Sequence, residues 1–272
     1  MNFKIKFLFG IILAIVISCA KNPFTGKSTM ALVPNSQIFP TAFQQYGQFL
    51  SENKVLKGTA EAKKIELIGM KIKTASERWL NANGHADYLE GYAWEYNLVD
   101  SKELNAWCMP GGKIVFYTGI LPVCKDDAGI AAVMGHEVAH ALANHGQQRM
   151  SAGLLQQLGA VGTQVAVGNK SPETQAMIMQ AYGVGSQVGG MLPFSRSHES
   201  EADQIGLTLM AIAGYDPINA VKVWERMSAL SSGQAPPEIL STHPSNQTRI
   251  NELTALIPQA KAEAAKFGVT FK

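Results

Sequence analysis

The stretch Ala131-Ala-Val-Met-Gly-His136-Glu137-Val-Ala-His140-Ala-Leu-Ala-Asn-His145 sets the expectations for the whole chain. Alanine is the strongest helix former, and its density on both sides of the two histidines predicts a helix running through them. Helical residues advance ~100° each, so His136 and His140 lie ~40° apart and one turn along, with both imidazoles on one face. Glu137 lies beside them. Two imidazoles so placed suit Zn2+, and the adjacent carboxylate suits a general base that takes a proton from water and later gives it to a leaving amine.

Two histidines do not complete a metal site. A third histidine on the metzincin pattern would require Gly at 143 and His at 146, where this chain has Ala143 and Gly146. His145 follows His136 by nine residues, ~180° around a continuous helix, which predicts that it sits on the opposite face. His85 falls in a turn, and His198 flanks a better candidate, the segment Ser197-His-Glu199-Ser-Glu201-Ala-Asp203. Glu199 is the expected third ligand. Asp203, one turn on and on the same face, is placed to accept a hydrogen bond from a ligating imidazole. Glu201 points ~160° away and reads as a solvated position. His243 precedes Pro244, which biases it towards an extended backbone. Three fates are open to it: a surface histidine, a donor to the oxyanion, or a fourth ligand that closes the site and makes it latent. The last is favoured because neutral imidazole ligates zinc well.

Outward from these motifs the chain reads as one unit. It has 272 residues, 46% hydrophobic and 16% charged, with net charge +2 and no clustered Lys/Arg stripe, so nucleic acid is not an expected partner. Lys4 and Lys6 precede an apolar run from Phe7 to Ile17, then Ser18-Cys19. That predicts a lipoprotein signal peptide over 1–18, acylation of Cys19 and a tether over 19–36. The domain is expected over 37–272. The implied location is a bacterial cell envelope, exported and lipid-anchored, on the periplasmic side of the outer membrane if Gram-negative. Cys108 and Cys124 either pair or serve as small core residues; their spacing fits no metal knuckle.

Helical patterning runs from Gln37 to about Leu80, with Ile65, Ile68, Met70 and Ile72 as its apolar positions, and breaks at Asn81–His85. Alternation from Tyr92 to Val99 predicts a strand. A strand pair follows around Asn105–Trp107 and Lys113–Thr118, joined by Pro110-Gly111-Gly112. Beyond Leu121 the chain reads as helices and loops. The Gly/Ala/Gln/Met-rich stretch from Ser151 to Met191 turns at Gly168–Pro172, and a final helix covers Asn246–Phe267. Asn105–Met109 reads as an edge strand, open to an extended peptide or covered by its own loop.

The motif His136-Glu-Val-Ala-His140, then Glu199-x-x-Ala-Asp203, then Thr242-His-Pro-Ser245 with Arg249-Ile250, resembles the peptidases related to HtpX, BepA and the CAAX prenyl proteases. Asn105–Gly119 resembles the segment preceding the zinc helix in those enzymes, and the likeness spans about residues 22–257. The resemblance implies a gluzincin-type α+β fold, mainly helical, with one small sheet next to the H-E-x-x-H helix. It also implies Zn2+ on His136, His140 and Glu199, with Glu137 as base and Asp203 in support. The activity implied is endopeptidase cleavage of extended or unfolded polypeptide in envelope quality control. A zinc-binding chaperone or assembly lipoprotein is the alternative. The membrane spans of HtpX and the repeat domain of BepA have no counterpart in this sequence, so a lipid anchor is the expected membrane link. The sequence leaves the oligomeric state open.

Overall fold

The computed structural model describes residues 19–230, 239, 243 and 247–271. The expected signal segment 1–18, along with Thr242, Pro244 and Ser245, lies outside the described residues.

At the centre stands α4 (Asp127–Leu142), which follows the short α3 (Leu121–Cys124) and carries the two-histidine motif. Asp126, extended, caps it by accepting a hydrogen bond from Gly129 N at 2.9 Å. Every residue from Gly129 to Leu142 is buried. A helix enclosed on all sides has no solvent face, and its Ala, Val, Met and Leu residues make that affordable. Packed against it are α2 (Ala60–Ala82), α7 (Leu192–Ile212) and α8 (Ile218–Leu230), with α9 (Gln247–Ala265) laid across α7 and α8.

In this core α4 and α7 approach each other at backbone distance. A Cβ added at Gly135 would stand 2.8 Å from Gly206 O, and one at Gly206 would stand 2.9 Å from Gly135 C and His136 N. Two glycines therefore let the helix backbones touch, and they do so at the residue next to His136.

The sheet has the order β3-β4-β6-β5: β3 (Val55–Leu56), β4 (Glu95–Val99), β5 (Ala106–Met109) and β6 (Lys113–Tyr117). β5 and β6 form the expected antiparallel hairpin, with Met109 opposite Lys113, while β4 runs parallel to β6. The turn needs its glycines, since Gly111 and Gly112 have φ of 84° and 86°. β5 is an edge strand and packs on α4. The strand expected from Tyr92 starts at Glu95.

The helical pattern from Gln37 to Leu80 is two helices, α1 (Asn35–Glu52) and α2. Between them Val55–Leu56 pairs with β4, Gly58 takes φ 75°, and Thr59 caps α2 by accepting from Ala62 N. The Asn-Lys and Gly-Thr punctuation on either side of Val55 marks the break. Met70 is 45% exposed, whereas Ile65, Ile68 and Ile72 are core. It falls outside the i, i+3, i+7 stripe those three define.

After α4, Asn144 adopts a left-handed conformation (φ 55°, ψ 34°) and the chain starts α5 (His145–Val167) in a new direction. α5 and α6 (Pro172–Ser186) form a hairpin turning at 168–171, with Ser171 accepting from Thr174 N. This hairpin leaves Leu158, Val161, Val165 and Met177 exposed. No helix among the described residues is long and apolar enough to cross a membrane. Cys108, half-buried, and Cys124, buried, are free thiols. Residues 19–30 are packed rather than loose: β1 (Cys19–Lys21) pairs with β2 (Ser28–Met30), and Phe24 stacks on Trp79 at 4.3 Å.

Gly206→Ala gains ~1 kcal/mol of helix propensity. It also forces a methyl group into backbone atoms that cannot swing aside, an overpacking cost of ~1–3 kcal/mol. Thermal or urea unfolding of the metal-free protein is therefore expected to show a net loss of stability. An increase would mean that the helices are not held at contact distance.

Candidate metal centre

One turn of α4 brings His136 and His140 together, with Nε2 atoms 3.1 Å apart. Across the glycine contact, α7 presents Glu199. Its Oε2 lies 3.4 Å from His136 Nε2, and its Oε1 3.3 Å from His140 Nε2. His243 enters from the other side, its Nδ1 2.8 Å from Glu199 Oε2 and 3.1 Å from His136 Nε2. One donor atom from each of these four residues falls within 4.8 Å of all the others. Donors around a tetrahedral zinc with bonds of ~2.0–2.1 Å stand ~3.3 Å apart, and the contacts here scatter about that spacing. The donor set fits the metal.

Glu137 is buried, and its Oε1 has no hydrogen-bond partner among the described residues; His243 Nε2 is 3.7 Å away. Burial raises its pKa, partly offset by His243 and His136. A carboxylate so placed faces the cluster with its proton-accepting capacity unspent.

Asp203, one turn beyond Glu199, accepts from His136 Nδ1 at 2.9 Å, leaving Nε2 directed at the cluster. Arg249 from α9 holds Asp203 with two hydrogen bonds, Nε to Oδ2 at 2.8 Å and Nη2 to Oδ1 at 2.7 Å. It stacks on Trp224 of α8 at 3.6 Å and reaches Glu199 at 3.3 Å. Burial would raise the Asp203 pKa, but Arg249 and His136 hold it below the usual carboxylate range. Burial alone would lower the pKa of His136; hydrogen bonds to Asp203 and Glu199 outweigh that and raise it to about 9. The same field would favour a cation in the proton's place.

The sequence-derived residues His136, Glu137, His140, Glu199, Asp203 and His243 thus meet at one point, and His243 is not on the surface. His85 is exposed and apart from the cluster. Two expectations are corrected. Glu201 is 4% exposed rather than solvated, because residues 22–25 fold over it. His145 is not turned away, because Asn144 ends the helix on which the 180° projection depended. Its Nδ1 lies 2.8 Å from His140 Nδ1. Arg249 and Trp224 had no role assigned from sequence; a buried arginine on an otherwise apolar helix face is the signal that could have found the first.

The model of peptidase family M48 matches residues 71–257, more than half of the chain. The chain belongs to peptidase family M48. Members of M48 are zinc-dependent metallopeptidases. Among curated relatives, "Mitochondrial metalloendopeptidase OMA1" of Arabidopsis thaliana is 37% identical over 73% of this chain and 40% of its own length. The protein of the same name from Saccharomyces cerevisiae is 34% identical over 72% of this chain and 56% of its own. "Beta-barrel assembly-enhancing protease" of Escherichia coli is 28% identical over 58% of this chain and 33% of its own. The chain spans about half the length of the curated relatives it matches.

These relatives overturn the expected location. Six of them, from plant, yeasts and vertebrates, carry mitochondrial names, and the Escherichia coli relative is more distant. A short apolar run behind two lysines is a generic shape, and it does not specify which membrane system reads it.

If Glu199 completes the M48 metal site, Glu199→Ala should lower zinc from about one ion per chain to near zero after dialysis. Elemental analysis with unchanged zinc would remove Glu199 from the ligand set.

Proposed function

We propose that this chain is a zinc-dependent endopeptidase that cleaves extended or unfolded polypeptide, in the service of protein quality control. The observation that carries this reading is the gathering of four donor atoms within 4.8 Å of one another, beside a buried Glu137 oxygen with no hydrogen-bond partner among the described residues. His136, His140 and Glu199 hold the metal, and residues 37–272 form the peptidase unit. When bound, zinc lowers the pKa of water and polarises a carbonyl. Glu137 takes the proton of the attacking water at its free Oε1 and returns it to the leaving amine. Asp203, clamped by Arg249, keeps His136 in the Nδ1–H tautomer with Nε2 facing inward.

Substrate presentation follows from the sheet. β5 is an edge strand packed on the ligand helix, and an added strand would pair with its free N–H and C=O groups without demanding a particular sequence. At the end of β5, a cavity of about 670 Å³ is lined by Ile38, Ala42, Met109, Pro110 and Met150, with Arg149 among its walls. It suits an apolar side chain, of the kind that unfolded protein exposes. A relative named for enhancing β-barrel assembly lends support to misassembled protein as substrate.

The alternative reading, a zinc-binding chaperone or assembly factor, leaves Glu137 without a purpose, since a structural site needs ligands but no base. His243 in turn supplies a fourth ligand, and a metal with four protein ligands has no open position for chemistry. On this reading the resting site is latent, and His243 must leave the metal position for cleavage.

Glu137→Gln is expected to keep its zinc and lose casein cleavage by ~10²–10⁴-fold. Wild-type cleavage in that variant would refute the assigned base. His243→Ala is expected to raise casein cleavage. A fall of ~10²-fold with zinc retained would instead assign His243 to the oxyanion.

A further inference from the structure

The histidines of α4 differ in what lies behind them. His136 meets the carboxylate of Asp203 directly. Behind His140 is another imidazole. His140 Nδ1 and His145 Nδ1 are 2.8 Å apart, His145 Nε2 lies 3.3 Å from Glu201 Oε2, and His145 has no solvent exposure. Glu201 is held from its far side by Asn22 Nδ2 at 2.9 Å and by the Thr25 hydroxyl, both on its Oε1. Asn22 is itself 1% exposed and fixed by accepting from Phe24 N at 2.9 Å. The His145 ring stacks on His198 at 4.0 Å.

With both imidazoles neutral, one assignment of protons satisfies this chain. Glu201 is a carboxylate that accepts from Asn22 and Thr25, so it also accepts from His145 Nε2–H. Neutral His145 then has a lone pair on Nδ1, which accepts from His140 Nδ1–H. His140 in turn is left with its lone pair on Nε2, the atom that faces His136 and Glu199. We infer that His145 and Glu201 are positioning residues for the metal ligand His140. Together they form an imidazole–carboxylate relay anchored on Asn22 and Thr25, so that the N-terminal segment sets the tautomer and aim of a zinc ligand. The inference rests on the reading of His140 as a ligand. α7 thereby serves the site three times on alternate residues. Glu199 faces the metal position, Asp203 backs His136 directly, and Glu201 backs His140 through His145.

A histidine placed there for packing alone would give different results, and substitutions at position 145 separate the two cases. His145→Phe keeps the aromatic stack on His198 and removes the acceptor. His145→Asn loses the ring and the reach to Glu201, but puts an amide oxygen close to where Nδ1 stands. In the full chain, zinc affinity is measured by chelator competition, and the visible spectrum is taken after cobalt substitution. Far-UV circular dichroism of the metal-free proteins serves as the folding control. His145→Phe is expected to weaken zinc by ~10–100-fold, shift the cobalt bands and lower kcat with KM held, and His145→Asn to recover most of the affinity. Glu201→Gln, which keeps an acceptor oxygen for Asn22 and Thr25, is expected to weaken zinc in the same direction by less. It also serves if His145→Phe fails to fold. Zinc affinity within twofold of wild type and an unaltered cobalt spectrum in His145→Phe, or in Glu201→Gln where His145→Phe does not fold, would overturn the relay. Equal losses in the Phe and Asn variants would also overturn it. A wild-type chain that binds no zinc would refute the metal centre itself.

Discussion

Between α4 and α7 the two backbones meet at Gly135 and Gly206, closer than any pair of side-chain-bearing residues would permit. That contact sets the distance from which Glu199 must reach His136 and His140, and it sets the reach of Asp203 to His136. An ion site tolerates errors of a few tenths of an ångström, so a helix crossing fixed by rigid backbone is a better foundation than one cushioned by flexible side chains. The surrounding sheet and the helices α2, α8 and α9 complete the enclosure around this crossing.

Enclosure creates an electrostatic problem. Glu137, Glu199, Glu201 and Asp203 are all buried on two adjoining helices, and the guanidinium of Arg249 faces Glu199 and Asp203. Uncompensated carboxylates in a protein interior are costly. The hydrogen bonds that Glu199, Glu201 and Asp203 accept, and the stacking of Arg249 on Trp224, offset part of that cost. The residual negative field is suited to a divalent cation, so the arrangement that makes the metal-free core strained is the one that gives the ion its affinity.

Much of this was legible in the chain. Periodicity and Ala-rich flanks located α4, and simple helical projection placed His136, His140, Glu199 and Asp203 on the right faces. Projection failed where the helix stopped. Asn144 in a left-handed conformation swings His145 back towards His140, and no pattern of i and i+4 anticipates a reversal at one residue. Glu201 was misjudged for a related reason. Its helix face points away from Glu199, as expected, but residues 22–25, which fall within the expected tether, fold over that face. The split between α1 and α2 was marked by Gly58 and Thr59, yet the apolar period on both sides masked it. Arg249 stands out in the sequence only as an arginine on an apolar helix face; its role needed tertiary knowledge, because Asp203 lies 46 residues away on α7 and its stacking partner is Trp224.

The α5–α6 hairpin lies in the chain between the two halves of the metal site, with His140 before it and Glu199 after it. Its first two turns are tied down through His145, Gln147, Gln148 and Ser151, all buried, but among the described residues its outer part touches little besides itself. Closing a loop costs entropy that grows only with the logarithm of its length, ~0.6 kcal/mol per doubling. The distal hairpin is thus an expansion joint. Residues could be added or removed around Gly168–Pro172 with little change in the free energy of bringing Glu199 to His140, and whatever the outer turns are made to contact remains mechanically insulated from the ion.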